Sequence, residues 1–325
     1  MELIRGLHNI KAEHHGCVLT IGNFDGVHLG HQAVLTKLIS VARQQQLPAC
    51  VMLFEPQPLE LFAAETAPAR LSRFREKYTA LAALGIDRLI CVNFNLAFAG
   101  QQPELFIQEL LLQQLGVAHL IVGDDFCFGK NRRGNFSMLK QAAKQYQFGL
   151  TNTSSLVLGE QRISSTLIRE ALQQDKLGLA KAMLGRPYSL TGRVRHGRKL
   201  GRDLGFPTAN VFLYRRKLPV AGVYAIKAKT IYGDFTGVAN IGNRPTVQGK
   251  RQQLEAHLFD FKADLYGSQI EVQLIAKIRD EQRFADLSAL QQQIAADVVA
   301  AKQFFNSEAD LTSSDANTDI TEQNG

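Results

Sequence analysis

The sequence predicts two domains of different class. The first is α/β, built on a doubly wound parallel sheet; the second is all-β, a small six-stranded barrel closed by a C-terminal helix. Three observations lead there. A chain of 325 residues exceeds a single core of about 150. The first ~185 residues alternate short apolar runs with helical periodicity. From 188 to 279 that texture gives way to alternating segments set apart by Gly, Asn, Asp and Pro, with no long helical pattern.

In the first domain, GCVLTIG (16–22) is an apolar run ending in glycine and reads as a buried strand. Residues 29–46 follow as a helix, with Leu35, Leu38, Ile39 and Ala42 at helical spacing. ACVMLF (49–54) is a second strand. Residues 72–84 are a helix with Phe74, Tyr78, Leu81 and Leu84 on one face. DRLICVNF (87–94) is a third strand. Residues 103–115 form a helix entered through Pro103, a favoured position for a residue without an N–H. AHLIVGDD (118–125) is a fourth strand, and a helix covers 136–147. Strands that are apolar throughout are buried on both faces, and parallel strands need crossovers such as these helices. A Rossmann-like unit over 1–185 is expected.

Near Gly185-Arg186-Pro187 the pattern changes. GVYAIKAKT (222–230), DFTGVANIG (234–242), QLEAHLFDF (253–261) and QIEVQLIAKI (269–278) alternate as the strands of a small barrel do. Residues 286–305 are expected to close this domain, 186–305, as an amphipathic helix with Leu287, Leu290, Ile294, Val298 and Phe305 in a stripe. The remainder, 306–325, is polar and acidic and is expected to be disordered.

Net charge is +7, and +12 once the five acids of that tail are set aside. Such a surplus suits anionic partners: nucleotides, phosphorylated small molecules or nucleic acid. Against nucleic acid, the aromatics are not interleaved with a basic stripe in an RNA-binding motif. No run of ~18 apolar residues offers a transmembrane helix. The opening MELIRGLHNIKAEHH has neither the apolar core nor the cleavage site of a signal peptide. A cytoplasmic protein without a membrane partner is expected. Cys17, Cys50, Cys91 and Cys127 have no zinc or redox spacing and read as small core residues. The oligomeric state is left open, self-association included.

The stretch that carries chemistry in the first domain is TIGNFDGVHLGHQ (20–32). A strand ends at Gly22 and a helix begins near His28. In open α/β sheets, ligands bind beyond the carboxyl ends of strands. A glycine-rich turn there lets a phosphate reach backbone N–H groups at a helix N-terminus. Gly22, Asn23, Phe24, Asp25 and Gly26 are therefore candidate nucleotide contacts. His28 and His31, three apart, share a face, so both can donate to one phosphoryl group as charge builds on it. The alternatives are two surface histidines or a metal pair, and a metal would need further ligands nearby. In RISSTLIRE (162–170), Ser164, Ser165 and Thr166 read as a helix cap with hydroxyls for phosphate, and Arg169 as a phosphate fork.

GNFDGVHLGH resembles the H-x-G-H signature of the nucleotidyltransferase superfamily, which transfers a nucleotide monophosphate and releases pyrophosphate. RISSTLIRE resembles its I-S-S-T-x-x-R signature. With FEPQP (54–58) and GDDFCFGKNRRG (123–134) between them, this half is similar to the FMN adenylyltransferase module of bacterial bifunctional riboflavin kinase/FAD synthetases. The resemblance implies that His28 and His31 stabilise the transferring and leaving phosphates. It implies that Ser164, Thr166 and Arg169 clamp the nucleotide, and that Asp125, Phe126 and Phe128 lie where the family holds flavin. Some relatives carry His and Asn where this chain has Gln57 and Asp125. Lys130, Arg132 and Arg133 are either a solvated loop or an attraction for phosphates.

The second half has its own pattern. GRVRHGRKLGRDLGFPTAN (192–210) holds four glycines, Gly197 and Gly201 among them, and five Arg or Lys. It reads as a loop that wraps over a nucleotide's phosphates in a positive field, or as a basic hairpin turn. It matches neither the P-loop nor the protein-kinase set. PTAN (207–210), GVYA (222–225), NIGNRPT (240–246), LEAHLFDF (254–261) and DLYG (264–267) follow in an order similar to the family's riboflavin kinase module. The resemblance implies that Thr208 and Asn210 hold Mg2+, that Glu255 is the base for the ribityl 5′-hydroxyl, and that Arg279 and Phe284 contact flavin. ATP is then the co-substrate of both reactions. Riboflavin becomes FMN in the barrel, and FMN becomes FAD, with release of pyrophosphate, in the α/β domain.

Overall fold

The apolar runs of the first half lie side by side in the middle of a parallel sheet. The structure, a computed structural model, describes residues 1–123, 125–153, 156–159, 161–197, 201, 204–246 and 249–318, with backbone alone at 243–246, 249–251 and 308–318. The chain divides into two units. One is Met1–Ile168 with Met183–Gly185; the other is Arg169–Ala182 with Arg186–Gly325.

In the first unit β1 (Glu2–Arg5), β2 (Cys17–Ile21), β3 (Ala49–Glu55), β4 (Arg88–Asn93), β5 (Val117–Gly123) and β6 (Gly149–Thr153) pair in the order β1-β4-β3-β2-β5-β6, every pair parallel. Successive residues serve two cores. Cys17, Leu19, Ile21 and Met52 pack with Phe106, Leu110 and Leu139 on one face; Val18, Val51, Leu53 and Cys91 pack with Leu35, Leu38 and Leu81 on the other. Helices on both faces explain why these strands are apolar at every position. The helices are α1 (Leu29–Gln44), α2 (Pro58–Phe62), α3 (Phe74–Ala83), α4 (Leu96–Ala99), α5 (Pro103–Leu105) and α6 (Phe136–Tyr146). After α5 the coil widens over Phe106–Gln114 to i→i+5 bonds, such as Leu115 N–H to Leu110 O at 3.1 Å. A short hairpin, β7 (Val157–Leu158) and β8 (Gln161–Arg162), precedes α7 (Ser165–Gln173) and α8 (Leu177–Leu184). The four cysteines are free; Cys17, Cys50 and Cys91 are buried.

In the second unit β9 (Ser189–Arg195), β10 (Ala209–Phe212), β11 (Gly222–Thr230), β12 (Gly233–Thr246), β13 (Gly249–Leu258) and β14 (Gln269–Arg279) close into an antiparallel barrel in the ring order β10-β13-β12-β11-β14-β9. The last helix, α9, runs Leu287–Thr318 and packs Val298, Ala301 and Phe305 against Val223, Ala225 and Val238. One expectation changes here: Leu287 leaves the stripe and is exposed. The backbone of the helix runs past 305 to Thr318, with no Gly or Pro to interrupt it, and residues 319–325 of the expected tail lie outside the described residues.

Candidate active sites

β2 ends just before Gly22 and α1 begins at Leu29, so the intervening residues make the turn between them. Its backbone is unusual: Phe24, Gly26 and Val27 have φ of 47°, 85° and 43°. A branched side chain in the left-handed region is costly, and burial of Phe24 and Val27 in the core holds them there. Asp25 is buried and braces the same turn. Its carboxylate accepts Leu71 N–H and Ser72 N–H, each at 3.0 Å, and Gly26 N–H donates to Ser72 Oγ at 2.9 Å. Both carboxylate oxygens of Asp25 are thus engaged with backbone N–H groups, and the side chain braces the turn.

His28 caps α1, its Nδ1 accepting His31 N–H at 3.2 Å, which leaves Nε2–H as its donor. The two imidazoles stack with centroids 3.6 Å apart and 18° between their planes. Gly30 makes the room, since a Cβ there would lie 3.1 Å from His28 Nδ1. Nδ1 of His31 is buried and has no hydrogen-bond partner among the described residues. Burial, then His28 and the Lys77 ammonium, hold the His31 pKa well below the ordinary imidazole value. His31 is therefore neutral at pH 7. A buried nitrogen without a partner is an atom that a ligand completes.

The second signature reaches the first through Ser165, whose Oγ–H donates to Asp25 O at 2.9 Å across 140 residues of sequence. Ser164 caps α7 by accepting Leu167 N–H at 3.2 Å. Thr166 is exposed on the first turn of that helix. Arg169, further along α7, belongs to the second unit.

Charges beneath the turn carry no local sequence signal. Lys77 of α3 is fully buried; its Nζ donates to Asn23 O at 3.2 Å and lies 3.3 Å from Glu55 Oε1. Arg70 donates to both Glu55 oxygens, at 3.0 and 2.8 Å, and also to Glu60. Glu60 accepts Gln57 N–H at 2.9 Å. Past the ends of β3 and β4, Phe54, Phe62, Phe94 and Phe98 make ring contacts at 5.4 to 6.0 Å, and the series continues through Phe106 to Phe128 and Phe126. Phe128 is buried in the core and Phe126 half-buried beside it, whereas Phe62 and Leu59 are exposed. Asp125 is exposed and pairs with Arg162 at 3.1 Å; Asp124 lies outside the described residues.

In the barrel, Asn210 of β10 stands opposite Glu255 of β13, which stands opposite Asn240 of β12 on its other side. Thr208, Asn210, Glu255, Arg279 and Phe284 line one cavity of ≈ 180 Å³, together with Gly201 and His257. The metal, base and flavin candidates, spread over 208–284, thus come together. The glycine loop lies close upon them. A Cβ at Gly201 would sit 3.1 Å from Thr208 Oγ1, and one at Gly197 would strike the Asn210 amide. Arg198, Lys199 and Arg202 of that loop lie outside the described residues. Arg279 is gripped by α9: its Nε and Nη2 each donate to the buried Asp297 at 2.8 Å, and the guanidinium sits 5.7 Å from the Phe284 ring. His257 donates from Nδ1 to Pro207 O at 2.9 Å. A second cavity, ≈ 760 Å³, also has Thr208 in its wall, with His196, Lys262, Asp264 and Tyr266.

Comparison with known proteins gives these sites a family. Residues 10–167 match the family model for FAD synthetase and 184–305 that for riboflavin kinase. The bifunctional riboflavin kinase/FMN adenylyltransferase of Escherichia coli (strain K12) is 54% identical over 94% of this chain and 98% of its own length. The protein of the same name from Haemophilus influenzae is 51% identical over 94% of this chain and 100% of its own length. A crystal structure from Streptococcus pneumoniae, described as a macrolide-efflux protein, superposes with a TM-score of 0.79 at 27% identity, covering 93% of this chain and 99% of that one. Efflux is said of that protein; no described helix of this chain is long and apolar enough to cross a membrane. Two family models in tandem, and relatives alike over nearly their whole length, establish that the chain belongs to the bifunctional riboflavin kinase/FMN adenylyltransferase family, its FAD synthetase domain N-terminal and its riboflavin kinase domain C-terminal.

Proposed function

We propose that the barrel phosphorylates riboflavin at the wall its two cavities share, and that the histidine turn adenylylates the resulting FMN. The observation that carries the kinase reading is Thr208, which lines both cavities. Flavin occupies the cavity with Glu255, Arg279 and Phe284; ATP occupies the one with His196, Lys262 and Tyr266, and its γ-phosphate meets the ribityl hydroxyl at Thr208. Glu255 takes the hydroxyl proton as the oxygen attacks the γ-phosphorus and ADP leaves. The Thr208 hydroxyl and Asn210 amide oxygen, with glycines packed against both, are hard donors of the kind Mg2+ takes. Mg2+ held there with the ATP phosphates would neutralise charge on the transferred group. Asp297 keeps the Arg279 guanidinium facing the flavin cavity.

In the α/β domain the FMN phosphate attacks the α-phosphorus of ATP and pyrophosphate leaves, with no protein nucleophile. His28 Nε2–H, His31 and the backbone N–H groups of the turn stabilise the charge that develops. The exposed Phe62 and Leu59 offer apolar surface to the flavin ring. Use of ATP at both sites favours the cytoplasm as the place of action. Chromatography of the flavins after mixing the chain with riboflavin, ATP and Mg2+ tests this reading, with FMN expected first and FAD second. FMN alone would sink the role of the histidine turn; no conversion of riboflavin or of FMN would sink both.

A further inference from the structure

We infer that Lys77 is a positioning residue for adenylyl transfer: its buried ammonium holds the Asn23 carbonyl and so sets the turn that presents His28 and His31. The inference rests on the reading of that turn as the adenylyltransferase site.

A lysine is almost never fully buried unless it is paired. Lys77 is 0% exposed, 3.3 Å from Glu55 Oε1 and 3.2 Å from Asn23 O. Stability alone does not account for it, because a buried ion pair is no better than well-packed apolar side chains of the same size. Nor does Glu55 depend on it, since Arg70 already donates to both Glu55 oxygens. What Lys77 supplies, and an apolar side chain could not, is a donor to Asn23 O. That carbonyl opens the strained part of the turn, immediately before Phe24 at φ 47°. Carbonyl and N–H of a trans peptide point in opposite directions. Holding Asn23 O toward α3 therefore fixes the direction of the Phe24 N–H, a backbone donor of the phosphate turn. Lys77 also links two loops. Through Glu55, Arg70 and Glu60 its contacts extend to Gln57 N–H at the start of α2, so the turn after β2 and the segment after β3 share one charged scaffold. The same ammonium is one of the groups that keep His31 neutral.

The test is Lys77→Met, close in length and without charge, in the full chain. Riboflavin phosphorylation and FMN adenylylation are measured on the same preparation, and hydrogen exchange is followed at 17–31 and 49–55. The expected result has four parts: an unchanged kinase rate, unchanged protection of β2 and β3, faster exchange at 22–28, and a kcat for FAD formation about 10- to 100-fold lower, with KM for ATP and FMN within threefold. Normal protection of the strands with adenylylation kcat within threefold of wild type overturns the inference. Parallel loss of strand protection and kcat assigns Lys77 to stability and overturns it too. A wild-type chain that cannot convert FMN and ATP to FAD overturns the reading of the site itself.

Discussion

Replacing Asp25 separates two ways an acid in the turn between β2 and α1 could act: on the ligand, or on the turn. In the structure its carboxylate is 2% exposed and accepts two backbone N–H groups, Leu71 and Ser72, at 3.0 Å. Ser72 Oγ stands 3.4 Å from the same carboxylate and accepts Gly26 N–H. Asp25→Ala leaves two buried donors without acceptors. At about 1–3 kcal/mol each, the loss is about 2–6 kcal/mol, a large part of the ~5–15 kcal/mol of a typical domain. Asp25→Asn keeps the shape, but one face of the amide is a donor and must meet an N–H, so about half that loss is expected, roughly 1–3 kcal/mol. The assay is urea unfolding of the full chain, followed separately by hydrogen exchange in the sheet and in the barrel, with the barrel as internal reference. The sheet transition should move to lower urea in the order wild type, Asn, Ala, while the barrel transition stays. An Ala variant with the sheet transition unmoved but FAD formation abolished would refute the bracing argument and place the carboxylate on the nucleotide.

Other outcomes follow from the same geometry. His28→Ala with His31→Ala should abolish FMN-to-FAD conversion and leave riboflavin phosphorylation within twofold, read from the two product peaks; equal loss of both in a folded chain would refute separate sites. Glu255→Gln should lower the kinase rate at least 100-fold and spare adenylylation, and a near wild-type kinase rate would remove Glu255 as base. His31 is held neutral in the folded chain, so below about pH 6.5 the unfolded chain binds a proton that the folded chain does not. Sheet stability should therefore fall with decreasing pH, by at most about 1.4 kcal/mol per unit from this group. His31→Gln should flatten that acid-side slope, and identical slopes would show that His31 does not carry it.

How much of this is readable from sequence depends on whether the physics is local. β2 to β5 announce themselves as apolar runs because each is covered on both faces. β1 (ELIR) and β6 (GLTNT) are edge strands with exposed positions, and no continuous apolar run marks either. β14 and residues 253–258 of β13 alternate because one face is buried, whereas β11 is buried at every position from Gly222 to Ile226. The histidine pair, the SST cap and the glycine loop are readable because neighbours in sequence make them. Lys77 and Asn23 are 54 residues apart, and Ser165 and Asp25 140 apart. Nothing local distinguishes Lys77 from a lysine on the polar face of α3, or Asp297 from a solvated acid on α9. The inward turn of Asp25 is likewise decided by the distant N–H groups of Leu71 and Ser72.

The placing of carboxylates argues for which reaction each unit runs. A hydroxyl nucleophile must lose a proton, so phosphorylation of riboflavin needs a base within reach. A phosphate nucleophile is ionised already and needs none, and an uncompensated carboxylate beside a triphosphate repels it. Around the histidine turn the described carboxylates are committed. Asp25 holds backbone N–H groups, Glu55 is shared by Arg70 and Lys77, and Glu60 is taken by Arg70 and the Gln57 N–H. None can serve as a base without giving up a hydrogen bond or ion pair, and the imidazole of His31 is neutral. In the barrel Glu255 lines a cavity wall, opposite Asn210 on one side and Asn240 on the other, with Thr208 in the same wall. A carboxylate facing a cavity suits a hydroxyl that must be deprotonated, and a turn whose acids are all engaged suits an incoming phosphate. Exchanging the two assignments would leave the riboflavin hydroxyl without a base.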